Sequence, residues 1–426
     1  MKTIQNSYLR RLNFLRNHSV RVFLGSIIAA FIPLKKQRVA IVVNHRVPFS
    51  GNLTIVADEL IKRGRAEVLI YKDGPIPDQT VKALRQAGAL VLTKFSIRHL
   101  ITLLRSSTII LGHGIGDAYI TRARKGRRIV NVWHGVTLKR IGLLVEKGSA
   151  PQNLSDKQIR RMKKDGALYD YMVASNPRDQ KIMAEAFDMP LEKVLDCGLP
   201  RFDYLRYPDA FSAEMQTASN HLRDKAQQQK IIAYTPTFRE KTGSPLAELD
   251  GETLDNLAQF CTDNGYKIAI RPHPYDLAAL DSLLARVDGD FIIDASSRVY
   301  PEAAVLMQNA DILITDYSSI WVDYLFTKRP IFALVPDLEH YITDERGFIN
   351  DFSALLPGPV CHNWGEVLEE IVLRINKQLP SKLEAAEQSK RILSNERLLP
   401  QNAEHRYTEQ LFFELAQDDE IFGSDR

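Results

Sequence analysis

The sequence has few cysteines, and they lack the spacing that would give them a shared role. Only Cys197, Cys261 and Cys361 occur in 426 residues, and no CxxC pair is present. This pattern argues against a disulfide framework and against a zinc knuckle. We therefore expect buried cysteine side chains and a reducing compartment.

Acidic residues are absent from the first 38 positions, where basic residues are frequent. The basic residues there are Lys2, Arg10, Arg11, Arg16, Arg21, Lys35, Lys36 and Arg38. They flank VFLGSIIAAFIPL, an apolar run of about 13 residues, whereas about 20 are needed to cross a bilayer. No small-residue cleavage site follows the run, so a signal peptide is not predicted. We predict that residues 1–37 form a basic amphipathic segment on an anionic membrane surface; the alternative is a helix packed on its own domain.

Signatures of several other site types are missing as well. There is no GxSxG elbow for a nucleophilic serine. No metal-ligand spacing connects the histidines that follow predicted strands, which are His45, His113, His134 and His273. Two further basic runs, Arg122–Arg128 and Lys157–Lys164, lack interleaved aromatic residues, so we predict lipid phosphate or a polyanionic acceptor as partner and no nucleic acid. We predict no metal and no cofactor, and the oligomeric state is left open.

The composition, with 45% apolar and 25% charged residues, is that of a globular protein. A chain of 426 residues exceeds one ordinary core and predicts two domains. Runs such as RVAIVVNH and ADILITDYS alternate with helical patterns on both sides of a polar, Gln-rich stretch. This alternation predicts an α/β fold with parallel sheets. The predicted ranges are a membrane-associating segment 1–37, an N-terminal domain 38–205, a polar linker 206–230, a C-terminal domain 231–400, and a helix and tail 401–426.

Four predicted strands end in residues with reactive side chains. HGV follows RRIVNVW, PTFR follows IIAY, RPHP follows YKIAI, and TDYSS follows DILI. Ligands of open parallel sheets bind beyond the carboxyl ends of the strands. We therefore predict that these four loops line one cleft between the two domains.

The TDYSS segment has the features of a phosphate site. Thr315, Ser318 and Ser319 offer hydroxyl groups, and the apolar run from Ile320 predicts a helix whose first N–H groups favour an anion. The alternative is that Ser318 or Ser319 only caps this helix. Both interpretations use the same local geometry.

The RPHP and PTFR segments supply further phosphate-binding candidates. Arg271 presents a guanidinium that matches phosphate oxygens, and His273 projects to the same side between two prolines. Arg239 is a third cation, and the alternative for it is an ion pair with a neighbouring acid. Cationic side chains would neutralise an anionic leaving group.

His134 is the candidate general base. An imidazole with a pKa near neutrality is suited to take a proton from an alcohol. Lys139 and Arg140 follow closely and would hold a phosphate of the acceptor. The alternative is a histidine packed under Trp133.

The motif series resembles that of the CDP-glycerol glycerophosphotransferase family. The similar motifs are WHGVTLKRIG, CGLPRFD, TPTFRE, RPHP and TDYSSIWVDYLFTKRPIFAL, followed by ERGF and LPGPV. The resemblance spans roughly residues 44–362, and the family usually has TPLK where this chain has VTLK. It implies a GT-B-like pair of Rossmann-type domains facing a central cleft, with CDP-glycerol on the C-terminal domain.

The resemblance also implies roles for individual residues. His134 matches the catalytic base, and His273 matches a group that stabilises the pyrophosphate. The positions expected to contact phosphate oxygens are Arg271, Thr315, Ser318, Ser319 and Arg346.

The resemblance implies transfer of glycerol phosphate from CDP-glycerol to a polyol-phosphate, lipid-linked or glycan acceptor, with release of CMP. Such chemistry serves teichoic acid or glycerol-phosphate capsule synthesis, and we expect it at the cytoplasmic face of the cell membrane. A CDP-ribitol ribitolphosphotransferase would share every motif. Two competing hypotheses are a GT-B nucleotide-sugar glycosyltransferase or epimerase, and a membrane-bound scaffold without enzymatic activity.

Overall fold

The computed structural model describes residues 17–147, 154–239, 243–342, 347–349, 355, 358–375, 398–400, 405–417 and 420–422. Arg346, a predicted phosphate contact, lies outside the described residues. Residues 1–16 of the predicted membrane segment lie outside them as well.

The first lobe is built on a seven-stranded parallel sheet with the order β3-β2-β1-β4-β5-β6-β7. The strands are rich in Val, Ile and Leu and are buried on both faces, as expected where helices cover a parallel sheet. Their bounds are Lys35–Val43 (β1), Glu67–Lys72 (β2), Leu90–Leu92 (β3), Ser106–Leu111 (β4), Arg128–Asn131 (β5), Tyr171–Ala174 (β6) and Val194–Asp196 (β7).

The second lobe is built on a six-stranded parallel sheet with the order β10-β9-β8-β11-β12-β13. Its strands are Lys230–Thr235 (β8), Tyr266–Ile270 (β9), Ile292–Asp294 (β10), Ile312–Thr315 (β11), Ile331–Leu334 (β12) and Val360–Cys361 (β13). The predicted α/β class with two parallel sheets is confirmed.

Helices surround both sheets, and several begin at a side-chain cap. Ser155 and Gln158 form a capping box, and Asn176, Ser212 and Asp250 each accept a hydrogen bond from a first-turn N–H group. The helices are His18–Phe31, Asn52–Arg63, Asp78–Gln86, Ile97–Leu104, Asp156–Gly166, Pro177–Phe187, Asp203–Arg206, Ala213–Ala226, Gly251–Asn264, Leu277–Leu284, Ala303–Asn309, Ile320–Tyr324, Leu338–His340, Trp364–Ile375 and Tyr407–Ala416.

The stretch 206–230, predicted to be a polar linker, contains a regular helix. Ala213–Ala226 buries Met215, Leu222 and Ala226 in the same core as the helix Ala303–Asn309. Apolar residues at these spacings are sparse among polar ones, which is why the sequence pattern resembles a linker. The structure assigns this helix to the second lobe.

The helix Tyr407–Ala416 returns to the first lobe. The buried Asp203 carboxylate accepts hydrogen bonds from the backbone N–H groups of Tyr407 (2.8 Å) and Thr408 (3.0 Å). The Arg63 guanidinium lies 4.3 Å from the centre of the Phe412 ring. The chain therefore links the two lobes a second time near its C-terminal end.

The helix His18–Phe31 packs on the first lobe through one face only. Ala29 is buried in the same core cluster as Tyr119, and Arg124 donates to the Ala29 carbonyl oxygen (2.8 Å). The opposite face exposes Phe23 (66%), Ile27 (47%) and Phe31 (84%). The helix thus packs on its own domain, which was the alternative prediction, and it also keeps an exposed apolar stripe. Membrane association of this segment stays a prediction. Among the described residues, we find no helix with the length and hydropathy of a bilayer-crossing segment.

Each sheet has a point where the chain leaves neighbouring strands in opposite directions. In the first lobe this point lies between β1 and β4, and in the second lobe between β8 and β11. The loops at the carboxyl ends of such strands diverge and leave a crevice in which ligands bind.

Candidate active site between the two lobes

A cavity of about 500 Å³ lies between the lobes. The first lobe contributes the loop Trp133–Lys139, and the second lobe contributes Thr235–Phe238, Arg271–Tyr275 and Tyr317–Ile320. These segments are the four strand ends singled out in the sequence. The structure therefore brings the WHG loop opposite the PTFR, RPHP and TDYSS loops.

His134 is held in one defined tautomer. Its Nδ1 atom lies 2.7 Å from the Gly112 carbonyl oxygen, and a carbonyl oxygen can only accept a hydrogen bond. In the neutral ring, Nδ1 therefore carries the proton and Nε2 keeps its lone pair. Part of the residue is exposed where it lines the cavity, so this lone pair is accessible to a molecule bound there. This is the tautomer that a general base requires.

Two aromatic rings fix the plane of the His134 ring. The His113 ring stacks on it with centroids 4.2 Å apart and planes 5° apart, and the Trp133 ring lies 4.2 Å away at 35°. Trp133 has a left-handed backbone with φ of 50°. The Asn52 amide supports this strained position by donating to the carbonyl oxygens of Val132 (2.8 Å) and Trp133 (3.0 Å).

The surroundings of His134 favour its neutral form. Burial among protein atoms and the neighbouring His113 ring lower the pKa of His134 well below its ordinary value, and Arg201 acts in the same direction. Burial likewise lowers the pKa of His113 to about 4. The base is therefore already deprotonated at neutral pH.

We expect kcat/KM for transfer to be flat from pH 8 to below pH 6.5. A base works only when deprotonated, so activity falls as pH drops through the pKa of His134, and this pKa is lowered. A pH profile of kcat/KM under saturating acceptor tests this. An acid limb centred at or above pH 6.5 would contradict it.

His273 is held in the opposite tautomer. Its Nδ1 atom accepts a hydrogen bond from the Tyr275 backbone N–H (3.2 Å), so the neutral ring carries its proton on Nε2. Burial and the Lys139 ammonium group lower the pKa of His273. A neutral imidazole with an Nε2–H group is a hydrogen-bond donor, which suits a phosphate oxygen rather than a proton to be removed.

Gly135 of the first lobe faces Ser319 of the second lobe at close range. A Cβ atom at Gly135 would lie 2.9 Å from the Ser319 Oγ atom, so only glycine fits without a shift. Ser318 and Ser319 both line the cavity, as predicted. The helix after them, Ile320–Tyr324, is only five residues long, so its dipole contributes less than the sequence suggested.

Thr315 does not reach the cavity. Its hydroxyl is fully buried and is bonded to the backbone oxygen and the hydroxyl of Thr235, both at 3.0 Å. Thr315 is the last residue of β11, and its side chain points between strands. Thr235, on the neighbouring strand β8, lines the cavity instead.

Arg271 lines the cavity, but its guanidinium holds a backbone loop. It donates to the carbonyl oxygens of Ala295 (3.2 Å), Tyr300 (2.6 Å) and Pro301 (3.0 Å). Burial lowers the pKa of Arg271 to about 10. Arg271 therefore stabilises the backbone of a loop beside the cavity.

Arg239 forms internal ion pairs, which was the second interpretation of its position in the sequence. Its side chain is 4% exposed and bonds Asp316 (2.6 Å) and Asp337 (2.9 Å). Asp316 in turn accepts from the Thr237 backbone N–H at 3.0 Å. Arg239 therefore fastens the PTFR loop to the TDYSS loop behind the cavity.

Lys139 and Arg140 belong to a backbone pairing between the lobes. The Arg140 N–H donates to the Gly347 carbonyl oxygen (2.9 Å), the Ile349 N–H donates to Leu138 (3.1 Å), and Lys139 pairs with Phe348. Lys139 lines the cavity with its ammonium group 5.1 Å from the centre of the Tyr341 ring, whereas Arg140 does not line it.

Arg201 and Asp323 are site residues to which the sequence assigned no role. Arg201 donates to the His134 carbonyl oxygen (2.6 Å) and pairs with the buried Asp323 of the opposite lobe (2.8 Å). Both line a second cavity of about 220 Å³ that also touches His134. Arg201 lies in the CGLPRFD motif shortly after β7. Its position after a strand end is the sequence feature from which a role at the cleft could have been predicted.

Among the described residues, no three His, Cys, Asp or Glu side chains come together as metal ligands would. The three cysteines are buried and unpaired, in agreement with their wide spacing.

Residues 26–397 match the model of a family described as CDP-Glycerol:Poly(glycerophosphate) glycerophosphotransferase. The chain belongs to this family. The predicted resemblance is confirmed, and the chain is a transferase of the teichoic acid glycerol-phosphate transferase and polymerase group.

Relatives of this transferase differ in length and in whether their names refer to glycerol phosphate or to ribitol phosphate. It is 30% identical over 298 residues to a teichoic acid glycerol-phosphate transferase of Staphylococcus aureus, covering 67% of this chain and 72% of that protein. It is 26% identical over 354 residues to a teichoic acid ribitol-phosphate primase of Bacillus spizizenii, covering 81% and 84%. It is 34% identical over 244 residues to a poly(glycerol phosphate) polymerase of Staphylococcus epidermidis, covering 56% of this chain and 32% of that protein.

Solved structures support the fold. The wall teichoic acid polymerase TagF aligns over 98% of both chains with a TM-score of 0.74 and 21% identity. A UDP-bound structure of MnaA from S. aureus aligns over 89% of this chain and 96% of its own with a TM-score of 0.52 and 12% identity. The transferase is therefore GT-B-like, with two parallel sheets facing a cleft.

Proposed function

We propose that this transferase moves glycerol phosphate from CDP-glycerol to a hydroxyl group of a membrane-associated acceptor and releases CMP. The observation that carries the proposal is the pair of complementary imidazoles in one cavity. His134 presents a proton acceptor from the first lobe, and His273 presents a proton donor from the second. Family membership supports CDP-glycerol as the donor.

In the proposed reaction, Nε2 of His134 takes the proton of the acceptor hydroxyl. The oxygen attacks the β-phosphorus of CDP-glycerol, and the bond from that phosphorus to the bridging oxygen breaks. CMP leaves with the bridging oxygen, and a phosphodiester forms. His273, Ser318 and Ser319 donate hydrogen bonds to phosphate oxygens, and Lys139 adds positive charge. Phosphoryl transfer leaves little covalent chemistry to the protein, so positioning and charge stabilisation supply most of the acceleration.

We assign Arg271 and Arg239 to positioning rather than to direct phosphate contact. Both guanidinium groups are occupied by protein partners. Arg271 fixes the backbone beside the cavity, and Arg239 fixes the TDYSS loop. We further propose that the reaction needs no metal ion, because the Lys139 ammonium group and the hydrogen-bond donors of His273, Ser318 and Ser319 line the cavity.

The experiment supplies CDP-glycerol, CDP-ribitol or a UDP-sugar separately, together with a membrane fraction as acceptor. Each donor is tested with and without EDTA, and CMP or UDP release is measured. We expect CMP from CDP-glycerol with or without the chelator. Release from CDP-ribitol alone would instead establish the ribitol reaction, which the ribitol-phosphate primase relative favours. UDP release would overturn the proposal.

We also propose that the transferase attaches peripherally to an anionic membrane, at the cytoplasmic face. The exposed side chains Phe23, Ile27 and Phe31 recur every fourth residue, so they form one apolar stripe along the helix His18–Phe31. Arg161 lies near enough to His18, at the start of this helix, to lower its pKa. Arg161 belongs to the exposed basic helix Asp156–Gly166, so apolar and basic surface meet at one end of the lobe.

The triple variant Phe23→Ser, Ile27→Ser, Phe31→Ser should lose most of its binding to anionic vesicles. Each apolar side chain buried in the interface contributes about 1.5–3 kcal/mol. Cosedimentation with phosphatidylglycerol vesicles measures the loss. Phe413→Ser is the matched control, since Phe413 is 63% exposed on another helix. Unchanged sedimentation of the triple variant, or an equal loss in the control, would contradict the assignment.

A further inference from the structure

The crevice between β1 and β4 in the first lobe has no assigned ligand. In the second lobe, the corresponding crevice between β8 and β11 is lined by the loops that face the cavity. The loop after β1 contains Asn44, His45 and Arg46, and the loop after β4 contains His113. Ligands of open α/β sheets bind at this topological position. The first lobe therefore has a crevice of the kind that binds ligands, and no ligand has yet been assigned to it.

This crevice adjoins the base. Val42 of β1 pairs with Leu111 of β4, so Asn44 leaves the sheet beside His113. The His113 ring stacks directly on the His134 ring. The loop after β1 then runs on to Gly51, whose N–H bonds Glu302 of the second lobe. The loop that carries His45 and Arg46 therefore starts beside the ring that stacks on His134 and ends at a contact with the second lobe.

The loop after β1 adds an exposed cation, Arg46, to the crevice. His45 and Arg46 are exposed, and the Arg46 Nε–H donates to His45 Nε2 (3.2 Å). Within the part of the chain that the structure describes, no carboxylate pairs with Arg46. The acid nearest this loop is Asp117, which accepts a hydrogen bond from the Asn44 amide (3.0 Å). Burial raises the pKa of Asp117, while the Asn44 hydrogen bond and the nearby His45 act in the opposite direction.

The helix His18–Phe31, which carries the exposed apolar stripe, begins near this crevice. A Cβ atom at Gly116 would lie 3.4 Å from the His18 Nε2 atom, and the neighbouring Asp117 accepts a hydrogen bond from Asn44. His18 begins the helix His18–Phe31, and it lies near enough to His45 for the two rings to influence each other electrostatically. A molecule anchored in lipid beside this helix would approach His134 from the side that carries His18 and His45. A phosphate on such a molecule would meet Arg46 before its terminal hydroxyl reached the base.

We propose that His45 and Arg46 form an anion subsite that holds a phosphate group of the acceptor and so places the acceptor hydroxyl at His134. This inference rests on the proposed function. A guanidinium beside an imidazole donor matches phosphate oxygens in charge and geometry. Two sources share this chemistry, namely the phosphate that joins the acceptor to its lipid and a terminal glycerol phosphate.

The test compares Arg46→Ala and Arg46→Lys with the wild-type chain. Lys82→Ala is the matched control, because Lys82 is an exposed cation on the helix Asp78–Gln86 of the same lobe. We expect Arg46→Ala to raise the acceptor KM about tenfold or more, as loss of a charged hydrogen bond would. Arg46→Lys recovers part of the loss, since the charge remains. The affinity for CDP-glycerol, measured by calorimetry, stays unchanged in all variants, and Lys82→Ala retains the wild-type acceptor KM.

Two acceptors distinguish the sources of the phosphate. One ends in glycerol phosphate, and the other carries the same lipid phosphate but ends in a sugar hydroxyl. If the subsite binds the terminal glycerol phosphate, Arg46→Ala raises the KM of the first acceptor only. If it binds the lipid phosphate, Arg46→Ala raises the KM of both acceptors. An unchanged acceptor KM with both, or an equal loss of CDP-glycerol affinity, would overturn the subsite. Failure of the proposed function is a separate result, because wild-type protein would then release no CMP from CDP-glycerol.

Discussion

His134→Ala should abolish transfer while leaving the affinity for CDP-glycerol close to that of the wild type. The imidazole is the proposed base, and general-base catalysis contributes about 10²–10⁴-fold. Its Nδ1–H group donates to the Gly112 carbonyl oxygen, and its ring is stacked on His113, so the ring is held in one orientation. Initial rates of CMP release and calorimetry with CDP-glycerol measure the two quantities.

Two further variants make the His134 result specific. His273→Ala should lower both the rate and the affinity for CDP-glycerol, because its Nε2–H group is proposed to donate a hydrogen bond to the CDP-glycerol phosphates. His99→Ala, on the helix Ile97–Leu104 away from the cavity, should change neither. If His134→Ala and His273→Ala lost donor affinity equally, the separation into a base and a phosphate donor would be wrong.

Arg239→Met should destabilise the second lobe by about 3–5 kcal/mol, the usual cost of breaking a buried ion pair. Arg239 is almost fully buried, and its removal leaves Asp316 and Asp337 without their cation. The Coulomb attraction of these carboxylates raises the pKa of Arg239 despite its burial, and the hydrogen bond from Arg239 helps to keep the pKa of Asp337 low. Urea unfolding followed by tryptophan fluorescence measures the change, and Trp321 lies directly after the TDYSS loop.

Arg298→Met is the matched control for this prediction. Arg298 also bridges two carboxylates, those of Asp281 and Asp294, but its side chain is 38% exposed. Water replaces much of that interaction, so its loss should hardly move the unfolding midpoint. If Arg239→Met instead kept its stability and lost only CDP-glycerol affinity, Arg239 would be a direct phosphate ligand.

The strand ends were predictable because the relevant pattern is local. Short apolar, β-branched runs followed by polar loops mark parallel strands, and the carboxyl ends of parallel strands share one edge. That reasoning placed His134, His273, Ser318 and Ser319 on the cavity, where the structure has them. The same reasoning wrongly placed the Thr315 hydroxyl at the cavity. Thr315 is still the last residue of β11, so its hydroxyl is buried between strands, whereas the loop begins one residue later.

The partners of arginine were not predictable from the sequence. A guanidinium on a strand-end loop is equally compatible with a ligand phosphate, a carboxylate or backbone carbonyl oxygens. The choice depends on groups far away in the chain, such as Asp337 for Arg239 and Tyr300 for Arg271. The His113 stack on His134 has the same origin, because residues 113 and 134 meet only through the pairing of β4 with β5.

The sequence by itself determined the α/β class, the parallel strands and the family, because periodicity and motif order are properties of consecutive residues. The tertiary structure alone decided which imidazole keeps a free lone pair and which carries a proton toward the cleft. That distinction depends on whether Nδ1 meets the Gly112 carbonyl or the Tyr275 N–H, and hydrogen-bond partners of this kind exist only once separate segments are packed together.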